Sequence, residues 1–273
     1  GNDFVVIRAG RRIGADWSEW ARRLCARHFG VGADGLLVIG ACRAADVRMR
    51  MYNPDGTEDM CGNGLRCVAL LARREGLVAH GSFSVETIAG LRRVEVPDER
   101  ARQAQVRAWM GQPRLETSIL GARVDVERMI AYPLEMQGQR LALTGVWMGT
   151  PHAVIVCPPE LDEQQWRRIS AALEAHPLFP DRTSVTWVWP RGRDVLDVRV
   201  WERAVGETLA CGTGACAALA AAHLTGAADR GAQVRMRGGT LHVEWLPDGE
   251  VVVTGPAREV FRGRWTETAS TVE

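Results

Sequence analysis

The sequence predicts an α+β protein composed of two similar α/β halves that face each other. The first observation is an internal duplication, because Cys-Gly-x-Gly occurs at Cys61 and again at Cys211, about 150 residues further on. The second is that a strand pattern precedes each copy and a helix pattern rich in alanine and leucine follows it. We therefore expect one unit of strand, turn and helix around each cysteine.

The elements upstream of the two motifs repeat in the same order. The segment Gly1–Ile7 resembles Gly149–Ile155, and a helix pattern follows each. Asp16 and Glu19 form a capping-box pattern at the start of the first helix, and the second helix pattern starts at Asp162. The other expected strands are residues 36–39, 47–52, 82–87, 92–96, 185–189, 198–201, 241–245 and 250–254, and the helices after the motifs are residues 65–74 and 215–224.

The link between the halves is expected near residues 111–117, where Gly-Gln-Pro interrupts a strand pattern. This gives an N-terminal half of residues 1–115 and a C-terminal half of residues 116–257. A chain of 273 residues is long enough for both halves to bury a core.

The composition excludes several classes of function. The formal net charge is +1, so no broad positive field favours nucleic acid or a membrane surface. No apolar run is long enough to cross a bilayer, and no signal peptide is visible. Seven cysteines, an odd number in a long chain, favour free thiols in a reducing compartment. We therefore expect a cytoplasmic protein that acts on a small molecule.

Lysine does not occur in the sequence, and every basic residue is arginine or histidine. Pyridoxal phosphate enzymes form a Schiff base with a lysine, so chemistry that depends on this cofactor is excluded. A Walker A phosphate loop is excluded for the same reason.

Each Cys-Gly-x-Gly motif places a cysteine where a strand turns into a helix. The first N–H groups of a helix have no partner within it and bind anions, and they lower the pKa of a thiol. Two such motifs that face each other can hold one carboxylate between them, with a thiol on either side of the adjacent carbon. One cysteine as thiolate then removes the α-proton and the other returns a proton to the opposite face, without a cofactor.

Other interpretations of the cysteines remain open. A single cysteine before Gly-x-Gly is more often a small buried residue than a base. The spacings Cys61-x5-Cys67 and Cys211-x4-Cys216 do not fit a common zinc-ligand pattern, so we expect no metal site. A non-catalytic protein that binds a thiol ligand or a metal is the alternative from a different functional class.

The chain resembles the diaminopimelate epimerase family over nearly its whole length. The resemblance is carried by Met-Cys-Gly-Asn-Gly at residues 60–64, by Glu-Thr-Leu-Ala-Cys-Gly-Thr-Gly within residues 201–215, and by residues 1–6, 30–35, 53–58, 148–152 and 254–257. It implies that each half is a mixed sheet wrapped around a central helix, with the active site in the cleft between the halves. It also implies that a strand in residues 258–273 crosses back to the first half.

The resemblance implies Cys61 and Cys211 as the acid–base pair of an isomerase in lysine and peptidoglycan biosynthesis. Asn63 and the backbone of Gly62, Gly212 and Thr213 would hold the reacting carboxylate. The matching positions expected to bind substrate or tune the thiols are Asn2, Asn53, Glu202, Arg203 and His152. A monomer and a homodimer both remain open.

Two positions depart from the common pattern of this family. Many members have asparagine where this chain has Thr150 and Ser184, at positions that read the distal amino-acid group of the substrate. Threonine and serine lack the amide donors of asparagine. An epimerase or racemase of another amino acid therefore remains an alternative. Proline racemases and phenazine-biosynthesis isomerases are poorer matches, because the former usually have histidine at Asn63 and the latter lack the two cysteines.

Overall fold

The computed structural model describes residues 1–10, 16–97 and 103–266. The first half contains β1 (Phe4–Arg8), α1 (Trp17–Cys25), β2 (Gly35–Gly40), β3 (Val47–Tyr52), β4 (Glu58–Asp59), α2 (Gly62–Arg74), β5 (Ser82–Thr87), β6 (Gly90–Glu95) and β7 (Gln103–Gly111). The second half contains α3 (Thr117–Leu120), β8 (Tyr132–Met136), β9 (Gln139–Trp147), β10 (Pro151–Val156), α4 (Glu163–Glu174), β11 (Ser184–Pro190), β12 (Val195–Glu202), β13 (Gly206–Thr208), α5 (Gly212–Leu224), β14 (Gly231–Met236), β15 (Gly239–Trp245) and β16 (Val251–Arg258).

Within the described ranges, the strands form one mixed sheet in the order β1-β2-β3-β5-β6-β7-β16-β15-β14-β12-β11-β10-β9-β8, with β4 on β3 and β13 on β12. The pairing directions repeat between the halves. The pairs β1–β2 and β3–β5 are parallel, as are β10–β11 and β12–β14, whereas β2–β3 and β11–β12 are antiparallel. This repeat confirms the predicted α+β fold with two pseudo-symmetric halves.

The last strand, β16, joins the two parts of the sheet. It pairs antiparallel with β7 from Val251↔Gly111 to Arg258↔Gln103, and its other edge pairs with β15. The crossing strand was expected at residues 258–273, but residues 259–266 form no strand, and residues 267–273 lie outside the described residues. The strand that crosses is β16, which overlaps the strand expected at residues 250–254. The alternating buried positions Val251, Val253, Gly255 and Ala257 end just before this segment, which explains the earlier position of the strand.

The two helices that follow the motifs lie at the centre of the molecule. One hydrophobic cluster contains Leu65 and Val68 of α2, Ala217 and Leu219 of α5, and strand residues from both halves. In α5, every residue from Gly214 to Ala222 is buried. Small alanine side chains allow the surrounding strands to approach this helix closely, so an alanine-rich sequence suits a helix that is enclosed on all sides.

The outer helices of the two halves are capped by aspartates. The carboxylate of Asp16 accepts a hydrogen bond from the Glu19 N–H at 3.1 Å, as the capping pattern predicts, while the Glu19 carboxylate accepts from Arg22. At Asp162 both halves of a capping box with Gln165 are formed. In the part of the chain that the structure describes, no helix has the length and apolar character needed to cross a bilayer.

Candidate active site

Cys61 is the residue that caps α2 at its N-terminus. It lies two residues after β4, in extended conformation with φ −131° and ψ 119°. Its Sγ accepts a hydrogen bond from the Gly64 N–H at 3.5 Å. The thiol therefore occupies the position of a helix cap, beside N–H groups that have no partner in the first turn.

Cys211 caps α5 in almost the same conformation, with φ −132° and ψ 117°. Its Sγ accepts from the Gly214 N–H at 3.3 Å. Glycine is favoured at the third residue after each cysteine, because a Cβ on Gly214 would lie 2.9 Å from Val200 Cγ2, and one on Gly64 would lie 2.8 Å from Leu37 Cδ2. The second glycine of each motif therefore lets its helix pack closely against a strand.

The starts of α2 and α5 lie against each other. A Cβ on Gly212 would lie 3.9 Å from the Cα of Gly62 and 3.9 Å from Oδ1 of Asn63. The structure therefore brings together the two Cys-Gly-x-Gly turns, which are about 150 residues apart in the sequence. Two helix N-termini that meet in this way make a strong site for one anion.

Glu202, at the end of β12, is the carboxylate that interacts with both thiols. It accepts a hydrogen bond from the Thr208 hydroxyl at 2.5 Å, and it also interacts with the Cys211 thiol. Burial raises the pKa of the Glu202 carboxyl, and the hydrogen bond from Thr208 opposes this shift. Its negative charge raises the pKa of Cys211 and, to a smaller extent, that of Cys61.

The pKa of each motif cysteine is raised, which corrects the expectation that helix N-termini lower it. Burial is the largest cause at both thiols. Backbone N–H groups of Asn63 and Gly64 act in the opposite direction at Cys61, as the Thr213 hydroxyl and the Gly214 N–H do at Cys211. Removing the thiolate from water costs more here than the hydrogen-bond donors return, because Cys211 is buried and Cys61 is half-buried where the two helix starts meet.

His152, on β10, lies near Cys211 but does not contact it directly. Its Nδ1 lies 3.1 Å from the Thr186 hydroxyl, and its Nε2 lies 3.1 Å from the Thr213 hydroxyl, which in turn lies 3.3 Å from Cys211 Sγ. Burial, followed by the nearby charge of Arg203, lowers the pKa of His152 to about 3. The imidazole is therefore neutral at physiological pH.

Asn63 and Asn2 form the corresponding polar network in the first half. The Asn63 amide donates to Asn2 Oδ1 at 2.7 Å, and the Asn2 amide donates to Asp34 at 3.1 Å. Arg66 donates to Asn63 Oδ1 at 2.7 Å and to the Gly62 carbonyl at 3.2 Å. Sequence reasoning missed Arg66; the only signal was an arginine inside the otherwise apolar start of α2.

Arg203 and Ser184 lie together on the second half. The buried Ser184 hydroxyl accepts a hydrogen bond from the Arg203 N–H at 3.1 Å, and the exposed Arg203 guanidinium donates to the Asp181 carbonyl at 3.4 Å. Sequence reasoning also missed Glu174, whose carboxylate accepts from the Trp201 indole and from the Ala204 N–H, each at 2.8 Å. Glu174 thereby fixes both ends of the segment that carries Glu202 and Arg203.

The remaining expected residues occupy turns. Asn53 follows β3, and its amide donates to the Thr57 hydroxyl at 3.1 Å. Thr150 precedes β10, and its carbonyl accepts from the Met148 N–H at 3.1 Å. Across residues 1–10, 16–97 and 103–266, no group of three or more His, Cys, Asp or Glu side chains is arranged to hold a metal ion.

Comparison with known proteins gives the family. A family model described as diaminopimelate epimerase matches residues 1–116 and 144–260. The diaminopimelate epimerase of Desulforudis audaxviator is 47% identical over 268 residues, which cover 97% of this chain and 96% of that protein. The diaminopimelate epimerase of Moorella thermoacetica is 42% identical over 266 residues, covering 96% and 95%.

A solved structure shares the fold at much lower identity. A probable proline racemase from Agrobacterium radiobacter superposes with a TM-score of 0.60 and 17% identity, covering 91% of this chain and 82% of that one. Together with the curated relatives, the fold defines an isomerase of the epimerase and racemase class. The chain belongs to the diaminopimelate epimerase family.

Proposed function

We propose that this protein interconverts LL- and meso-diaminopimelate by two-base inversion at the α-carbon, with Cys61 and Cys211 as the bases. The observation that carries the proposal is the contact between the starts of α2 and α5, each capped by a cysteine in the same conformation. The relatives named diaminopimelate epimerase support the choice of substrate, and with it a role in lysine and peptidoglycan biosynthesis.

The reacting carboxylate binds between the two helix starts. Backbone N–H groups of Gly62, Asn63, Gly212 and Thr213 donate to its oxygens, and both helix dipoles favour its charge. The same groups stabilise the negative charge that develops when the α-proton leaves, as in an oxyanion hole. This site lies in the cleft between residues 1–115 and residues 116–257.

The reaction moves one proton off the α-carbon and one proton onto it. One cysteine, as thiolate, forms an S–H bond with the α-proton, and the electron pair of the broken C–H bond is delocalised into the carboxylate. The other cysteine gives its thiol proton to the opposite face of the carbon and becomes the thiolate. Burial raises the pKa of both thiols, so each thiolate is a stronger base than one in water.

Glu202 and His152 tune the thiols. The Glu202 carboxylate interacts with Cys211 and its charge acts on both sulfurs, so it favours the protonated thiols. The neutral His152 acts through the Thr213 hydroxyl, which it orients toward Cys211. Both are positioning residues, because their effect on the substrate passes through the cysteines.

The far end of the substrate meets Arg203. Its guanidinium is exposed, and a guanidinium binds a carboxylate through two parallel hydrogen bonds. The other side chains proposed to surround the substrate are Asn2, Asn53, Thr150 and Ser184. The Ser184 hydroxyl accepts from the Arg203 N–H, which supports a role for Ser184 in fixing Arg203.

An epimerase of another amino acid is the second candidate. It is favoured by Thr150 and Ser184, which lack the amide donors that many family members have at these positions. A site that hydrogen-bonds a distal group discriminates strongly against substrates without it, so this difference bears directly on the substrate.

The test is α-proton exchange in heavy water, followed by NMR with the reduced protein. The substrates tested differ in their distal groups. LL-diaminopimelate has a distal amino group and carboxylate, glutamate has a distal carboxylate alone, and alanine has neither. We expect exchange and inversion with diaminopimelate, and none in a double variant Cys61→Ala/Cys211→Ala. Exchange of another amino acid but not of diaminopimelate would support the second candidate. No exchange at all, with one equivalent of zinc bound, would support a non-catalytic metal-binding protein.

We also infer that the protein works in the cytoplasm. All seven cysteines are free thiols in the structure. Free thiols persist in a reducing compartment, and the proposed mechanism needs both motif cysteines reduced.

A further inference from the structure

Arg66 is a buried cation beside the two helix starts. It is the fifth residue of α2, its guanidinium reaches back to the Gly62 carbonyl, and the residue is 4% exposed. Burial lowers the pKa of the guanidinium, and the titratable groups that face it are the thiols of Cys61, Cys67 and Cys216. In the described part of the chain, both of its hydrogen bonds go to neutral oxygens and none goes to a carboxylate.

A buried arginine without a counter-ion is costly, because the charge loses its hydration without gaining an opposite charge. The Nε of Arg66 also has no hydrogen-bond partner among the described residues. Gly255 of β16 leaves room for the side chain, because a Cβ there would lie 3.1 Å from that Nε. An apolar residue would fill this space without the electrostatic cost, so packing alone does not explain the guanidinium.

The hydrogen bonds of Arg66 fix the orientation of the groups that follow Cys61. A guanidinium can only donate, so Asn63 Oδ1 must be the acceptor of the contact at 2.7 Å. The Asn63 amide nitrogen then points to Asn2 Oδ1, 2.7 Å away. The other Arg66 contact is to the Gly62 carbonyl, which belongs to the same peptide group as the Asn63 N–H. Polarising that carbonyl makes the N–H a better donor.

The second half has no cation at the equivalent position. The offset between the motifs places Cys216 opposite Arg66, and Cys216 is fully buried among alanines of α5. The charged groups that act on Cys61 are Arg66, which lowers its pKa, and Glu202, which raises it. The effect of Arg66 on the two catalytic thiols is therefore unequal.

We propose that Arg66 is a positioning residue that holds the Gly62–Asn63 peptide and the Asn63 amide in place for the reacting carboxylate. From the same place its positive charge also favours the thiolate of Cys61. The inference rests on the proposed function, since it assigns Arg66 a role at that carboxylate site. A residue of this kind acts on the rate and on the ionisation of one thiol, not only on folding.

The test compares Arg66→Met, Arg66→Lys and a control, Arg92→Met. Arg92 is a half-buried arginine of β6 whose Nε also has no partner in the described residues and whose hydrogen bond goes to the Leu91 carbonyl. The first measurement is kcat/KM for the epimerase reaction. The second is the pH dependence of iodoacetamide labelling at Cys61 and at Cys211, resolved by peptide mass spectrometry.

We expect Arg66→Met to lower kcat/KM about 100-fold, as the loss of one donor at an oxyanion site does. The labelling midpoint of Cys61 should move to higher pH, and that of Cys211 should move less. Arg66→Lys keeps the charge but not the paired donors, so it should restore the Cys61 midpoint more than it restores kcat/KM. Arg92→Met should leave both measurements close to the wild type.

Wild-type kcat/KM and an unchanged Cys61 midpoint in Arg66→Met would overturn the inference. If Arg66→Met does not fold, as judged by circular dichroism, Arg66→Lys decides: a folded lysine variant with unchanged kcat/KM also overturns it. Failure of the proposed function is a separate result, because it appears as absence of turnover in the wild type, whereas failure of this inference appears as a variant that behaves like the wild type.

Discussion

At the start of α2, Cys61 has φ −131° and ψ 119°, and at the start of α5, Cys211 has φ −132° and ψ 117°. The polar groups around the two turns are different. A guanidinium and two amides surround the first turn, from Arg66 and its neighbours. A hydroxyl, a neutral imidazole and a carboxylate surround the second, from Thr213, His152 and Glu202.

The difference shows that the duplicated backbone and the side chains have separate roles: the backbone positions the sulfurs, and the side chains set their proton affinities. The backbone fixes where each sulfur sits relative to the helix N–H groups, and it does so equally in both halves. The side chains decide how readily each sulfur gives up its proton. Glu202 is the second-largest influence on Cys211 but only a minor one on Cys61, so the two thiols have similar geometry and different proton affinities.

The largest expected effect comes from removing either sulfur. Cys61→Ala and Cys211→Ala should each lower the rate of inversion by about 10²- to 10⁴-fold, the usual contribution of a general acid or base. The equal requirement follows from a mechanism in which each turnover uses both sulfurs. Polarimetry measures the rate, and thermal melting checks that each variant is folded. Normal turnover in either folded variant would contradict the two-base mechanism.

Glu202→Gln should bring the pKa values of the two thiols closer together. The variant removes a negative charge that raises the pKa of both thiols. Both pKa values should therefore fall, that of Cys211 more than that of Cys61. We expect kcat to fall about 10- to 100-fold, because a charged hydrogen-bond partner is lost. Iodoacetamide labelling as a function of pH reads each cysteine separately. A larger shift at Cys61 than at Cys211 would reverse the comparison made above.

His152 should make the stability of the protein depend on pH. Its pKa is about 3 in the fold and about 6.5 in a free chain, so the unfolded state binds the proton first as the pH falls. The contribution of His152 to the free energy of unfolding is therefore complete above pH 6.5. It is lost progressively toward pH 3, by about 1.4 kcal/mol per pH unit. The free energy of unfolding, measured with urea at several pH values between 7 and 4.5, should depend less steeply on pH in His152→Gln than in the wild type. An identical slope in both proteins would show that His152 is not buried in this way.

The smallest expected effect compares the caps of the two outer helices. Asp162 and Gln165 form both contacts of a capping box, whereas Asp16 accepts one capping hydrogen bond, from the Glu19 N–H. Asp162→Ala should therefore cost about 1 kcal/mol of unfolding free energy, and Asp16→Ala less. Chemical denaturation of both variants measures the difference. Turnover serves as the control, since neither aspartate belongs to the proposed site.

The sequence was enough to predict the duplication and the contact between the two motif turns, because the motifs at Cys61 and Cys211 repeat with their flanking strands and helices. The direction of the thiol pKa shifts was wrong, because burial depends on how the two halves pack and not on the local turn. Arg66 was missed because an arginine in a helix pattern is normally exposed. The strand at residues 250–254 was predicted but its pairing with β7 was not, because local alternation does not specify a partner strand.

The pairing of β16 with β7 has a consequence for how the protein is made. On the ribosome, β7 emerges long before the final strand that covers its outer edge, since the whole second half is translated between them. During that interval the nascent first half carries an unpaired strand edge, which favours association with other chains. Truncation before residue 251 would leave this edge of β7 permanently unpaired. Such fragments should therefore aggregate, even though their own helices and strands are complete.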